Sequence, residues 1–173
     1  MSSTKGKLLR LLSGVLLQRG VVVAVRDFGG FRRIDLRAEL PPFAAGAKVQ
    51  VLLATDDART YTPIASPEGL VLVGWKHAGG PGGRWVSSVA VGDVVRFLGP
   101  QRSLSVGPGP VVIVGDETSV GVAAALGAER FGQAHAVIQS GAGADVSAAA
   151  RAVGFTHLDV VPPGDLYATL ARV

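Results

Sequence analysis

The run Ser105-Val106-Gly107-Pro108-Gly109-Pro110-Val111-Val112-Ile113-Val114-Gly115 is where the chain changes from one apolar pattern to another. Val111 to Gly115 is a short continuous apolar run, as expected of a parallel strand buried on both faces. The alanine-rich stretch Ser119 to Phe131 then reads as a helix, AHAVIQS (134–140) as a strand and Ala144 to Val153 as a helix. HLDVV (157–161) follows as a strand, and Asp165 to Val173 as a last helix. The order β-α-β-α-β-α predicts a doubly wound parallel α/β unit. With only three strands it must lean on the upstream part of the chain, on a second copy in a homodimer, or on both, because an uncovered strand edge favours association.

Upstream of the Gly-Pro run the period is 2, and turn signals recur every eight to twelve residues or so. VVVAVRDF (21–28), the Gly29–Gly30 turn and FRRIDLRAEL (31–40) read as a hairpin with Ile34 and Leu36 on one face, ended by Pro41–Pro42. Lys48 to Ala54, Glu68 to Trp75 and Asp93 to Leu98 supply further short strands. Their spacing fits a small, closed, antiparallel Greek-key barrel better than an open sheet. The predicted organisation is an amphipathic helix over residues 1–20, a β-barrel over 21–107 and a small α/β unit over 108–173. In the first segment Leu8, Leu11, Leu12, Val15 and Leu16 follow helical spacing, and Arg10 interrupts an apolar stretch too short to span a bilayer. Such a helix packs on the body of the protein or lies on a membrane surface; no membrane span is expected.

Composition narrows the function classes. At 173 residues, 48% hydrophobic and 17% charged, the chain has ample material for a core and little for a disordered coil. With no cysteine there is no disulfide, thiolate metal site or cysteine nucleophile in this sequence. His77, His135 and His157 lie far apart and outside any H-x-H or HExxH pair, so each is expected to be an ordinary surface or core histidine and no metal site is expected. The net charge is +4, and Arg26, Arg32, Arg33, Lys48, Lys76, Arg84, Arg96 and Arg102 stand singly or in pairs. That distribution suits an anionic small molecule better than nucleic acid, which is not an expected partner.

Two segments carry chemical information. In Arg59-Thr60-Tyr61-Thr62-Pro63-Ile64, at the end of a strand, the arginine can pair with a phosphate, the tyrosine offers a flat face to a ring and a threonine hydroxyl can bond a ring nitrogen. In Gly79-Gly80-Pro81-Gly82-Gly83-Arg84-Trp85 a glycine-rich loop opens a helix expected over Val86 to Ala90. Glycines there let backbone N–H groups approach a pyrophosphate at the positive end of the helix dipole.

The order and spacing of these segments resemble the siderophore-interacting proteins, the NADPH-dependent ferric-chelate reductases of the ferredoxin-reductase-like superfamily. RTYTPI is similar to that family's R-x-Y-[ST] flavin motif, HAGGPGGRW (77–85) to its H-G-x-x-G-P-x-S-R-W loop, WVSSVAVGDVVRFLGP (85–100) to its W-A…G-D…G-P run, and GDETS (115–119) to its G-D-E-T. The resemblance runs from about Val21 to about Leu126. It implies an FAD-binding barrel, NADPH or NADH as electron donor, a ferric siderophore or other ferric chelate as acceptor, and a cytoplasmic location. Arg59, with Thr60 and Pro63 in the same motif, would hold the FAD pyrophosphate. Tyr61 would lie against the isoalloxazine and Thr62 would bond near N5. These last two are the candidate catalytic residues. His77, Gly82, Gly83, Arg84 and Trp85 would form the phosphate loop, with Arg84 adding charge. Asp116, Glu117 and Thr118 would sit where the nicotinamide meets the flavin, although acids at a helix N-terminus also have a purely structural use. For an anionic chelate, Arg32, Arg33, Lys48 or Arg102 would supply attraction.

The departures from the pattern are specific. Gly83 stands where the family has serine, which implies one fewer side-chain bond to phosphate and a weaker hold on FAD. Ala78 replaces the glycine after the histidine. No G-x-G-x-x-G follows Val111–Val114, and no W-x-x-G-E segment follows the three βα units, so the second unit is expected to be a truncated NAD(P)H-binding-like domain. A flavin-binding module without pyridine-nucleotide turnover, serving as an electron-transfer partner or sensor, is the alternative reading.

Overall fold

The computed structural model describes residues 17–54, 57–77, 79–166 and 170. The helix expected over 1–20 lies outside them as far as Leu16. Its last four residues are instead the start of strand β1 (Leu17–Phe28), because Leu17 to Gly20 find ladder partners in Val95 to Leu98. Most of the helix expected over Asp165–Val173 also lies outside the described residues.

β1 turns at Gly29–Gly30 into β2 (Phe31–Arg37), as the hairpin reading predicts, with Ile34 and Leu36 buried. Strands β3 (Ala47–Leu52), β4 (Ala58–Tyr61), β5 (Ile64–Ser66), β6 (Gly69–Trp75) and β7 (Val94–Arg102) complete an antiparallel sheet in the order β4-β3-β7-β1-β2-β6-β5. The end strands β4 and β5 are consecutive in the chain, joined through Thr62–Pro63, and β4 also touches β6, so the sheet curls back on itself. Val22, Ile34, Leu36, Val49, Val51, Leu70, Leu72 and Phe97 fill its interior.

Helix α1 (Pro81–Ser88) lies between β6 and β7 in sequence. It begins five residues before the helix expected over Val86–Ala90 and ends before Val89, so Pro81-Gly82-Gly83 form its first turn and not a loop ahead of it. Proline at the first helical positions is pre-set for helix and loses no hydrogen bond there. Gly74 on β6 then lets the helix pack closely, since a Cβ there would come within 2.4 Å of Val86 Cγ2.

The parallel unit follows: β8 (Val111–Gly115), a 3-10 turn over Glu117–Ser119, α2 (Val120–Glu129), β9 (Ala134–Gln139), α3 (Gly143–Ala152) and β10 (Leu158–Val161), with sheet order β10-β9-β8. One expectation fails here. β8 is an edge strand, and Val112 and Val114 are 48% and 44% exposed while Ile113 is buried. The apolar run reflects one buried face and one open one, not burial on both.

The two sheets share a core. Phe31, Ile64 and Val71 point away from the barrel interior and pack with Val120, Ala123, Ala124, Ile138, Val146 and Ala149 of the parallel unit. β6 alternates accordingly, Leu70 and Leu72 facing in and Val71 facing the second core. Polar ties reinforce the seam: the Gly30 N–H donates to Asp145 Oδ2 at 2.8 Å, and Arg33 donates to the Ala152 carbonyl at 2.8 Å. Asp145→Ala leaves the Gly30 N–H without this acceptor and is expected to lower stability by about 1–2 kcal/mol, read by urea unfolding with an unchanged slope.

Candidate functional site

A cavity of about 380 Å³ opens where the three parts meet. Its first wall is β4 and the residue beyond it, Arg59 to Thr62; its second is Gly79 to Gly83 with His77; its third is Thr118 and Gly121 of the parallel unit, with Trp75 and Val73 behind. β4 supplies its wall because Arg59 and Tyr61 alternate with Thr60 along the strand, paired to Val51 and Val49 of β3. The Tyr61 ring lies 5.3 Å from that of Trp85. Burial pushes its phenol up to about 12, partly opposed by the Arg59 charge, so the ring presents a neutral face at ordinary pH.

The second wall is the N-terminus of α1. Gly80 caps it at φ 95°, a left-handed conformation that favours glycine, and makes no side-chain capping bond; the first turn holds no acid. Backbone N–H groups at that end are therefore presented with partial positive charge and no competing carboxylate. Gly82 sits beside Arg59, whose Cγ would be 3.3 Å from a Cβ there. Gly83 is tighter: a Cβ would come 2.1 Å from the His77 carbonyl oxygen. The serine of the resembling motif does not fit this backbone, which gives the departure at Gly83 a steric reason.

The far end of α1 is held by Arg32, whose Nη1 donates to the Ser87 carbonyl at 2.8 Å and to the Val89 carbonyl at 3.2 Å, while Nε and Nη2 grip Asp27 at 2.7 and 3.0 Å. A cation at the C-terminal carbonyls is the favourable complement of an open N-terminus. The hydrogen bond from Arg32, assisted by the charges of Arg32 and Lys76 and opposed by slight burial, holds the Asp27 carboxyl down at about 2. A depressed carboxyl contributes stability above its unfolded value and loses it as pH falls toward the folded one. The difference in melting temperature between the wild type and Asp27→Asn is thus expected to be full above about pH 4 and to close as pH falls to about 2.

Several expected site residues lie elsewhere. Arg84 is on the exposed side of α1 and does not line the cavity. Trp85 packs toward the barrel core behind Tyr61, and Pro63 is buried outside the cavity. Of the three residues expected beside the nicotinamide, only Thr118 lines it. Asp116 caps the 3-10 turn, accepting from the Thr118 N–H at 2.9 Å and its hydroxyl at 2.6 Å, and Glu117 accepts from the Ser140 hydroxyl at 2.6 Å. Arg32 and Arg33 are engaged by Asp27 and Asp35, and Arg102 lines a different cavity. His135 pairs with Asp159 at 2.9 Å, and the described residues hold no cluster fit for a metal. Among the residues that line the cavity, sequence reading missed Val73, Trp75, Val86 and Gly121. Gly121 carried a weak signal, following GDETSV at the start of a helix, where it lies beside Thr62.

The residues present fit a flavin nucleotide. The glycine turn leaves room that a Cβ would fill, a positive helix end and a guanidinium share one side of the cavity, and an aromatic face lies next to them.

No family model and no curated protein matches the chain. Solved structures do. A ferredoxin reductase in carbazole 1,9a-dioxygenase superposes with a TM-score of 0.70 at 19% identity, over 84% of this chain and 49% of that one. A siderophore utilization protein from T. fusca gives 0.65 at 18% identity, over 91% of this chain and 76% of that one. The siderophore-interacting protein from Aeromonas hydrophila gives 0.67 at 22% identity, over 91% and 72%. The chain spans about half the length of the first and about three quarters of the other two. Barrel, helix α1 and parallel unit together thus have the ferredoxin-reductase-like fold, and siderophore-interacting proteins are among the structures that share it.

Proposed function

We propose that the chain is a flavin-dependent oxidoreductase that takes electrons from a reduced pyridine nucleotide and delivers them to a ferric chelate. The observation that carries this reading is the single cavity bounded by Arg59–Thr62, by the glycine-rich start of α1 and by Thr118 and Gly121 of the parallel unit. One half of such a cavity suits a flavin and the other suits its electron donor. Residues 21–107 are then the flavin-binding part and 108–173 the donor-binding part.

A bound FAD supplies the redox chemistry, accepting a hydride and returning electrons singly. The balance is one NAD(P)H and two Fe(III) giving NAD(P)⁺, one proton and two Fe(II). The protein's own work is positioning. Arg59 and the N–H groups of the first turn of α1 bind phosphate oxygens, Tyr61 sets the plane of the ring and Thr62 offers a hydroxyl at its edge. Thr118 and Gly121, at the start of the parallel unit, line the same cavity. Arg84, on the outer side of α1, is left to the long-range attraction of anions.

The test begins with the visible spectrum of protein reconstituted with FAD, followed by anaerobic addition of NADH or NADPH and then of a ferric chelate. Rapid bleaching and chelate-dependent reoxidation are the expected result. A flavin that stays oxidised with either nucleotide would favour a flavin-binding module without pyridine-nucleotide turnover, and failure to retain FAD would overturn both readings.

A further inference from the structure

The open edge of the parallel sheet is complementary to itself. The Val111 N–H donates to the Gln133 carbonyl at 2.8 Å, so Val111, Ile113 and Gly115 turn their backbone groups toward β9. Successive residues of a strand alternate in this respect, which leaves the N–H and C=O of Val112 and Val114 on the outer side. Among the described residues β9 is the only strand paired with β8, and Val112 and Val114 are 48% and 44% exposed. Edges are commonly blunted by charge or proline, and Val111–Gly115 carries neither.

The groups at the two ends of the strand match each other. Before it, Pro110 has no N–H to give. After it, Asp116 continues extended, at φ −106° and ψ −168°, and its carbonyl already accepts the Ser119 N–H at 2.9 Å. With a second copy antiparallel across a two-fold axis at Ile113, Val112 of each copy faces Val114 of the other, and each such pair exchanges both of its N–H···O bonds. Pro110 then faces Asp116 of the other copy, so the missing donor meets the carbonyl that is already engaged, and the Asp116 N–H finds the Pro110 carbonyl. An axis at Val112 would set Val114 against Pro110 and leave the Val114 carbonyl without a donor. An axis at Val114 would set the Val112 N–H against the engaged Asp116 carbonyl. Charge agrees with the axis at Ile113. Arg130 donates to the Gly109 carbonyl at 2.7 Å, next to Pro110, so the Asp116 carboxylate of one copy comes up to a guanidinium of the other.

We propose that β8 is a homodimerisation edge, to which a second copy of this chain adds its own β8 antiparallel, joining the two parallel sheets into one. The two-fold pairing uses the same edge in both copies, so assembly closes at the dimer. The cavity lies beyond the carboxyl end of β8, by Thr118 and Gly121, so the two cavities fall at opposite ends of the shared ladder. A ladder this short is small beside a standard interface of about 1,600 Å², and the dimer is therefore expected to be reversible. The proposal is independent of what the cavity binds.

Sedimentation velocity of the whole chain between about 1 and 300 μM is the first experiment, because the dimer fraction of a reversible pair rises with concentration. Two variants accompany it. Val112→Pro removes an N–H that the ladder with β9 does not use, and Val112→Lys puts a charge at an exposed position of the edge. Both are expected to weaken dimerisation by about 10-fold or more, and Val112→Lys to do so with an unchanged melting temperature. Hydrogen exchange reads the register. Going from dilute to concentrated wild type, the amides of Val112 and Val114 should slow by about 10-fold or more, and that of Ile113, already bonded to β9, by less than about 2-fold. A wild type that stays monomeric throughout, assembly beyond the dimer, or a dimer unaffected by Val112→Lys would overturn the proposal. Slow exchange of Val112 and Val114 in the dilute monomer would overturn it too, by showing that another segment of the same chain covers the edge.

Discussion

Gly83→Ser is expected to destabilise the protein by about 3 kcal/mol or more and to abolish flavin retention, although serine is the residue that the resembling family carries at this place. The Cβ would lie 2.1 Å from the His77 carbonyl oxygen, and the obstructing atom is backbone, which cannot swing aside as a long side chain can. Relief requires α1 to lift from β6, yet α1 is packed against Gly74 on one side and tied by Arg32 at its end. The strain falls on the first turn, whose N–H groups are the ones proposed to bind the flavin phosphates. Gly82→Ala is the control. Its Cβ would meet Arg59 Cγ at 3.3 Å, a flexible neighbour, so stability should change by less than about 1 kcal/mol, because alanine also favours helix. Urea unfolding and the flavin absorbance left after gel filtration read both effects. A Gly83→Ser protein as stable and as yellow as the wild type would refute the account of the cradle.

Arg59→Gln should weaken flavin binding by about 10- to 100-fold while leaving the stability of the flavin-free protein within about 0.5 kcal/mol. Arg59 is half-exposed, and its visible protein partners are the Ala58 carbonyl at 2.9 Å and Asp57 at 3.9 Å. Neither is a contact on which the barrel depends. The lost affinity is that of a charge-assisted bond to phosphate, so the wild type should also show the steeper dependence on ionic strength. Equilibrium titration with FAD at low and high salt measures both quantities, and an unchanged dissociation constant would take Arg59 out of the site.

Much of this was legible from pattern. Ile34 and Leu36 alternating with charge across a Gly-Gly turn specify a hairpin with one buried face, and the structure has it in register from Phe28–Phe31 to Ala24–Asp35, beyond which the register shifts. The β-α-β-α-β order of the parallel unit was legible because its strands are apolar runs and its helices alanine-rich. What pattern could not supply was environment. Val111–Val114 looks the same whether one face or two are covered, and only the sheet order makes β8 an edge. The first turn of α1 was misread because glycine clusters usually mark loops, whereas here Pro81 starts the helix and Gly83 is needed for its contact with His77. In the candidate site, residues on one strand, Arg59 and Tyr61, were readable together. Trp75 and Gly121 reach the cavity through tertiary packing, and Ser140 meets Glu117 only because β8 and β9 are adjacent and parallel.

The shared core has a consequence for how such proteins can be recombined. Phe31, Ile64 and Val71 are covered by α2, α3 and β9, so the barrel is not a cassette that can be lifted out at the Gly-Pro run and fused to a foreign partner. A chimera between relatives would inherit a matched pair of surfaces only if the outward face of β2, β5 and β6 travelled with the helices that cover it. Barrel and parallel unit are therefore expected to melt in one calorimetric transition, and drift in one surface should select for compensating change in the other.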